Sequence, residues 1–271
     1  MRALALLPWL LAAALAQVQV AATTPILADL VRQVGGNRVA AVAVLPPGAD
    51  PHTFEPTPSV AQALSQTRLL FANGLGLEPY LPKLQALLPK NAQVVLLGEG
   101  QPGLICGEDH AEEDHGHGPC DPHLWLDPAY AVRYAERILE ALAALDPGGR
   151  DLYRANLERF KKEVEALDRA YRACGLKGTK VVAQHDAFRY FARRDGLEVV
   201  GVLSQGGAQE VGSRSFLALL EKAKREGVRL VLAEPQFQGK ALKTLAEAIG
   251  ARVAVLYTDT LDARVRTYLD L

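Results

Sequence analysis

The chain has 271 residues, of which 49% are hydrophobic and 23% are charged, and its formal net charge is -1. This length suffices for one large domain or two modest lobes. The near-neutral balance gives no support to nucleic acid or an anionic membrane surface as a partner, and an aromatic content of 6% argues against a platform for stacking bases.

The amino terminus is typical of a secretory signal peptide. A single basic residue, Arg2, precedes an apolar run over residues 3–15, and Ala14-Leu15-Ala16 forms a small-x-small cleavage pattern. The run is short for a membrane anchor and Pro8 interrupts it, so we expect cleavage after Ala16 rather than an uncleaved anchor. No cysteine stands near this point, so lipid attachment is not expected and the mature protein should lie outside the cytoplasm.

Residues 17–97 predict alternating strands and helices. The predicted strands are residues 17–21, 38–45, 68–72 and 94–97, and the predicted helices are residues 25–34, a segment that begins at Pro58, and residues 78–88. Proline suits the first turn of a helix, where its missing N–H is not needed. Strands that alternate with helices in this way form parallel sheets that are buried on both faces.

From Asp127 onward the pattern is helical for almost fifty residues. Asp127-Pro128 predicts the start of a helix that reaches about residue 145, before Asp146-Pro147-Gly148-Gly149 interrupts it. A second helix extends to about residue 173, because its apolar residues recur at steps of three and four: Tyr153, Leu157, Phe160, Val164, Leu167 and Tyr171. At ~1.5 Å per residue this helix exceeds ~30 Å, enough to run the height of a domain.

Strands and helices alternate again in the last third of the chain. The predicted strands are residues 180–184, 198–203, 229–233 and 252–256. The predicted fold class is α/β, with two lobes that are each a central, mostly parallel sheet flanked by helices, joined by one long rigid helix. The predicted boundaries are residues 17–148 for the amino-terminal lobe, 149–175 for the connecting helix and 176–271 for the carboxy-terminal lobe.

Four side chains with metal-binding chemistry lie in loops or directly after predicted strands. The tripeptide Asp-Pro-His occurs twice and ends in His52 and His123, where the preceding proline stiffens the backbone. His185 and Asp259 follow strands of the second lobe. Because ligands bind beyond the carboxyl ends of parallel strands, these residues predict a site in the cleft between the lobes. Three imidazoles and one carboxylate suit a tetrahedral Zn²⁺ site.

Acidic residues near these four are candidates for orienting the imidazoles from behind: Asp121, Asp127, Asp186 and Glu234. Glu234 is also an alternative fourth ligand. Each histidine taken singly is an ordinary loop residue, and Asp-Pro-His is also a turn sequence. A metal site is indicated only by the combination, because the three histidines and Asp259 all follow predicted strands. We expect Trp125 to pack beside His123.

Cys106 and Cys120 flank the most polar segment of the chain, residues 107–119, and an oxidising compartment permits a disulfide between them. The three histidines of this segment, which stand among five carboxylates, are His110, His115 and His117. Such a composition cannot bury a core, so the segment is either a solvated surface loop or an auxiliary zinc-collecting arm. The remaining Cys174 is expected to be buried as a small hydrophobic residue.

Six segments of the chain resemble, in order, motifs of the zinc- and manganese-binding solute-binding proteins of bacterial ABC importers: GADPHTFEPTPS, NGLGLEPYL, DPHLWLDP, HDAFRYFARRDGL, AEPQF and LYTDTL. The resemblance covers essentially the whole mature chain. It implies two lobes with a rigid connecting helix, a periplasmic location, a membrane permease as partner, and metal ligands at His52, His123, His185 and Asp259. Asp262 stands where relatives often have glycine, so it remains an alternative to Asp259.

The resemblance also favours zinc over manganese. Zinc-binding members often carry a His/acid-rich loop like residues 107–119, whereas manganese-binding members tend to place glutamate, a harder ligand, where this chain has His185. The expected function is capture of Zn²⁺ between the lobes of a monomer and its delivery to the permease, with Mn²⁺ as the alternative ion.

A secreted zinc hydrolase is the alternative from another functional class. Such an enzyme needs an open coordination position for water and a nearby general base. The chain contains no His-Glu-x-x-His motif, and four protein ligands would close the zinc shell. We therefore expect a binding protein without enzymatic activity.

Overall fold

The computed structural model describes residues 17–107, 120–204, 212–237 and 239–271. The predicted signal peptide and the three histidines His110, His115 and His117 lie outside the described residues.

The amino-terminal lobe contains a four-stranded parallel sheet in the order β2-β1-β3-β4. Its strands are β1 (Val18–Ala22), β2 (Val39–Ala43), β3 (Leu69–Ala72) and β4 (Gln93–Leu96). The helices in this part of the chain are α1 (Pro25–Gly35), α2 (Pro58–Leu64), α3 (Leu81–Leu87) and α4 (Pro128–Leu145). Every residue of β3 is buried, as is typical of an inner strand covered on both faces.

Helix α5 (Arg150–Ala173) contacts both lobes. Toward its amino-terminal end, the Asn156 amide donates a hydrogen bond of 2.9 Å to the carbonyl of Val34 in α1. Toward its carboxy-terminal end, Asp168 forms an ion pair of 3.4 Å with Arg194 of the second lobe. Cys174, which follows the last turn, is exposed, so the expectation of a buried thiol is wrong. The buried residues of α5 end at Val164, ten positions earlier, and the helix has left the core before Cys174.

The carboxy-terminal lobe repeats the parallel arrangement with strand order β6-β5-β7-β8. Its strands are β5 (Lys180–His185), β6 (Glu198–Ser204), β7 (Leu230–Ala233) and β8 (Arg252–Val255). Its helices are α6 (Arg189–Asp195), α7 (Ser213–Arg225) and α8 (Lys240–Ile249). The predicted α/β fold with two parallel-sheet lobes is confirmed. One cluster of buried apolar side chains extends through both lobes, from Val20 in β1 to Leu232 in β7.

Two predicted elements are longer than the observed ones by more than one residue. The predicted strand 38–45 ends at Ala43, and the predicted helix 78–88 begins at Leu81. The Glu78 carboxylate accepts hydrogen bonds from the backbone N–H groups of Asn73 and Gly74, which keeps this residue in the loop before the helix. None of the helices in the described ranges has the length and apolarity needed to cross a bilayer.

Candidate metal centre

The two Asp-Pro-His tripeptides have the same local geometry. The Asp50 carboxylate accepts a hydrogen bond of 2.9 Å from the backbone N–H of His52, and the Asp121 carboxylate accepts one of 2.9 Å from the backbone N–H of His123. Each aspartate thus closes a turn with its own side chain. The turn chemistry and the metal-ligand hypothesis are therefore compatible, because the turn presents each histidine in a defined direction.

The four predicted ligands converge between the lobes. His185 is the last residue of β5, and Asp259 lies four residues beyond β8. One ligand atom from each of His52, His123, His185 and Asp259 lies within 4.8 Å of the others. His123, His185 and Asp259 are buried, and only 6% of the His52 side chain is exposed, so all four side chains are largely shielded from solvent.

The distances between the ligand atoms fit a tetrahedral ion. The Nε2 atom of His123 lies 3.4 Å from Nε2 of His52 and 3.3 Å from Nε2 of His185. Oδ2 of Asp259 lies 3.3 Å from His185 Nε2 and 3.6 Å from His52 Nε2, and Oδ1 of Asp259 lies 3.6 Å from His123 Nε2. A tetrahedral zinc shell with bonds of ~2.0–2.1 Å separates its ligand atoms by about 3.3–3.4 Å. The distances of His123 Nε2 from the other two Nε2 atoms match this shell, and the Asp259 oxygens stand at this spacing or slightly beyond it.

Carboxylates hold two of the imidazole rings from behind. Asp121 lies 2.8 Å from Nδ1 of His123, and Glu234 lies 2.7 Å from Nδ1 of His185. Both contacts direct Nε2 toward the centre, and when the ring is neutral they select the tautomer with a free Nε2 lone pair. Glu234 therefore stands behind His185 rather than beside it, which does not favour its alternative role as a fourth ligand.

The other acidic candidates have different partners. Asp186 forms a hydrogen bond of 2.8 Å with Arg189, and Asp127 caps helix α4 by accepting a hydrogen bond of 3.0 Å from the N–H of Ala129. Asp262 accepts a hydrogen bond of 2.8 Å from the hydroxyl of Tyr257. Asp259, not Asp262, belongs to the converging group.

Burial and neighbouring charges shift the pKa values of the side chains at this site in different directions. Burial lowers the pKa of His123 to about 3, so this imidazole is neutral. Burial alone would lower the pKa of His185 as well, but the negative charges of Glu234 and Asp259 outweigh it and raise that pKa to about 10. Burial would raise the pKa of Asp259, yet His185 and His123 hold it well below its usual range. Burial, with a contribution from Asp186, raises the pKa of Asp121 to about 7.

The Asp259 carboxylate retains an oxygen that suits a cation. Its Oδ1 atom is buried, and no hydrogen-bond donor of the described residues reaches it. A buried, ionised oxygen without a donor costs free energy unless a positive charge meets it. Oδ1 of Asp259 and the three histidine Nε2 atoms are therefore a donor set that suits a divalent cation.

Sequence reasoning missed the residues that surround Glu234. The Thr258 hydroxyl donates a hydrogen bond to Glu234, and the Gln236 amide donates one of 3.1 Å to the same carboxylate. Gln236 also lies 3.3 Å from the Asp259 carboxylate. Gln236 falls in the AEPQF segment and Thr258 in LYTDTL, so the motif positions were the signal that could have found them.

Direct contacts tie the ligand loops of the two lobes together. Trp125 packs beside His123 with ring centroids 5.5 Å apart, as predicted, and its indole N–H donates a hydrogen bond of 2.7 Å to the carbonyl of Thr258. In the loop that carries the other Asp-Pro-His, the N–H of Gly48 donates to the hydroxyl of Thr260 at 2.8 Å. Both contacts cross from one lobe to the other.

The predicted disulfide between Cys106 and Cys120 is present. It joins two extended segments that also share a hydrogen bond of 2.9 Å from the N–H of Asp121 to the carbonyl of Ile105. The Tyr190 hydroxyl of the other lobe accepts from the N–H of Ile105 at 3.1 Å and donates to the carbonyl of Asp121 at 2.9 Å. The cross-link thus braces the backbone that leads into His123.

Comparison with known proteins gives concordant matches over nearly the whole chain. A family model described as "Zinc-uptake complex component A periplasmic" (ZnuA) matches residues 20–271. The chain is 27% identical over 254 residues to the metal ABC transporter substrate-binding lipoprotein FimA of Streptococcus parasanguinis, which covers 90% of this chain and 81% of that protein. It is 28% identical over 254 residues to the manganese-binding lipoprotein MntA of Halalkalibacterium halodurans, with 91% and 82% covered. Its structure resembles a crystal structure of ZnuA with a TM-score of 0.82 and 31% identity, over 94% of this chain and 96% of that one.

Proposed function

The chain belongs to the family of periplasmic zinc-uptake components, the metal-binding substrate-binding proteins of ABC transporters, and from that membership we propose that it captures Zn²⁺ between its lobes and passes it to a membrane permease. The observation that carries the proposal is the convergence of three imidazole Nε2 atoms and one carboxylate from both lobes. The proposed ligands are His52, His123, His185 and Asp259.

The chemistry of the donor set supports zinc rather than manganese. Neutral imidazole nitrogens suit zinc, whereas carboxylate and water oxygens suit manganese. Three of the four candidate ligands are histidines, and the ligand atoms have the spacing of a four-coordinate shell. Manganese remains the competing ion for the experiment, because the named relatives include a manganese-binding lipoprotein.

Capture and release follow from the division of the ligands between the lobes. His52 and His123 belong to one lobe and His185 and Asp259 to the other, so a small separation of the lobes removes half of the shell. Helix α5 contacts both lobes, and the buried apolar cluster is shared by them. We therefore propose that release uses a small displacement rather than a wide hinge opening.

The location and processing of the chain form part of the same proposal. Periplasmic and lipoprotein relatives place the family outside the cytoplasm. For this chain we propose cleavage after Ala16 without lipid attachment, since residues 1–16 contain no cysteine. We further propose that the mature protein is a monomer, and that the histidines of the 107–119 segment collect zinc for the main site. The mass of the mature protein tests the cleavage.

Elemental analysis of protein purified from the periplasm, followed by competition between Zn²⁺ and Mn²⁺, tests the assignment. We expect one tightly held equivalent of zinc per chain at the main site, and displacement of manganese by zinc. A His52→Ala, His123→Ala double variant should lose this equivalent. A matched variant with alanine at His110, His115 and His117 should keep it, since these histidines are not among the four ligands. A preference for manganese, or retention of the main site in the double variant, contradicts the proposal.

The family consists of metal-binding transport proteins, and no observation in the described residues favours the hydrolase alternative. Four protein ligands of a tetrahedral ion leave no position for a hydrolytic water. Zinc-dependent hydrolysis of a peptide or an ester by the purified protein would be needed to support the hydrolase alternative.

A further inference from the structure

We propose that Gln236 is a positioning residue that restricts Asp259 to one metal-binding oxygen and thereby gives the site its preference for zinc over manganese. This inference rests on the proposed function and adds a determinant of ion selectivity to it. Gln236 lies in the loop after β7, two residues beyond Glu234 and next to Asp259.

The orientation of the Gln236 amide follows from its neighbours. Its Nε2 atom lies 3.1 Å from a Glu234 oxygen, 3.1 Å from the Thr258 hydroxyl oxygen and 3.3 Å from Oδ2 of Asp259. The carboxylates accept hydrogen bonds and cannot donate, and the Thr258 hydroxyl has already given its hydrogen to Glu234. All three neighbours therefore require a donor, so the nitrogen of the amide faces them.

The two oxygens of Asp259 are consequently in different situations. Oδ2 accepts a hydrogen bond from Gln236, whereas Oδ1 is buried without a donor from the described residues. Oδ2 also lies 3.3 Å from Nε2 of His185 and 3.6 Å from Nε2 of His52, but both nitrogens turn their lone pairs to an incoming ion and then cannot donate to Oδ2. After the ion binds, the amide of Gln236 still holds Oδ2, and Oδ1 keeps its lone pairs for the metal.

One oxygen and three imidazoles give four ligands, which is the tetrahedral shell that zinc adopts. If both oxygens of Asp259 bound the ion, the shell would have five ligands, and added water would approach the oxygen-rich octahedral shell that suits manganese. A hydrogen bond from Gln236 to Oδ2 therefore keeps the coordination number of the bound ion at four. The selectivity of the site then depends on a neutral amide that does not touch the ion.

Replacing Gln236 by methionine tests the inference, because methionine has a similar shape and no donor. Co²⁺ bound in place of zinc reports the geometry, since four-coordinate Co²⁺ absorbs strongly in the visible range and five- or six-coordinate Co²⁺ absorbs weakly. We expect intense bands in the wild-type protein and weak ones in Gln236→Met. The ratio of zinc to manganese affinity should fall by about tenfold or more, the lower end of effects seen for residues behind metal ligands.

Gln33→Met is the matched control, because the Gln33 amide also donates to a carboxylate, that of Asp29 at 3.5 Å, but away from the metal site. It should leave the spectrum and the affinity ratio unchanged. If Gln236→Met does not fold, Gln236→Asn retains polarity with a side chain one methylene shorter, and the same spectral change is expected. An unchanged spectrum with an unchanged ratio overturns the role of Gln236 alone. A wild-type protein that binds no zinc refutes the proposed function, and this inference with it.

Discussion

Replacing Glu234 by glutamine is expected to change the number of protons that zinc binding releases. Glu234 lies 2.7 Å from Nδ1 of His185, and it acts with Asp259 to raise the pKa of that imidazole to about 10 against the effect of burial. His185 is therefore an imidazolium at pH 8. Zinc needs the lone pair of Nε2, so binding must expel one proton.

Glu234 has two opposite effects on zinc affinity: it makes His185 harder to deprotonate, and it holds the imidazole in the orientation that binds the ion. Because pH 8 lies about two units below the pKa of His185, removing this proton costs ~3 kcal/mol, which lowers the apparent affinity for zinc about 100-fold. Removing the Glu234 charge lowers the pKa of His185 and relieves this cost, but loss of the orienting carboxylate weakens metal binding by ~10–100-fold. The two effects nearly cancel at pH 8. At pH 10 the first effect has largely gone, and the variant should bind zinc ~10–100-fold more weakly.

Calorimetric titration in buffers of different ionisation enthalpy measures the released protons directly. We expect about one proton per zinc from the wild-type protein at pH 8, and an affinity that rises about tenfold between pH 8 and pH 9. Glu234→Gln should release clearly fewer protons and show a flatter pH profile. Zero proton release by the wild-type protein, or an identical profile for both proteins, would refute the charge assignment at His185.

Three further predictions concern the contacts around the site. Emission from Trp125, which packs beside a candidate ligand, should change on zinc titration and saturate at one equivalent, and Trp125→Phe should abolish the change. Replacing Cys106 and Cys120 by serine opens a loop of sequence separation 14 and should lower the free energy of unfolding in a denaturant titration by ~3 kcal/mol. The exposed Cys174→Ser control should shift it by less than ~0.5 kcal/mol. Tyr190→Phe removes a hydroxyl that bridges two backbone groups and should cost ~1–3 kcal/mol in the same assay, and an unchanged midpoint would contradict that role.

Periodic patterns carried most of the fold prediction. The apolar residues of helix α5 keep the three- and four-residue step of one helical face, which predicts an end at about residue 173, and the helix ends at Ala173. Such patterns are readable from the sequence because the type and spacing of apolar residues indicate which positions are buried. Boundaries set by side-chain contacts were less predictable. Glu78 is in a loop because its carboxylate binds two backbone N–H groups, and nothing in the local pattern reveals that bond.

At the candidate metal centre, residue chemistry and placement after strands were enough to select His52, His123, His185 and Asp259 as candidate ligands. Parallel strands all end at one edge of a sheet, so their order along the chain already implies proximity. The surroundings of those ligands did not follow from such rules.

Three features depend on side chains from separate segments meeting in three dimensions: the position of Glu234 behind His185, the hydrogen bonds of Tyr190 to the backbone beside the disulfide, and the hydrogen bonds of Gln236. Hydrogen bonds are short-ranged and directional, so an error of one ångström in loop placement makes or breaks them. The amino-acid order thus specifies which atoms can bind a metal. The packing of loops from two lobes specifies how those atoms are charged, aimed and limited in number, and with that the selectivity we propose.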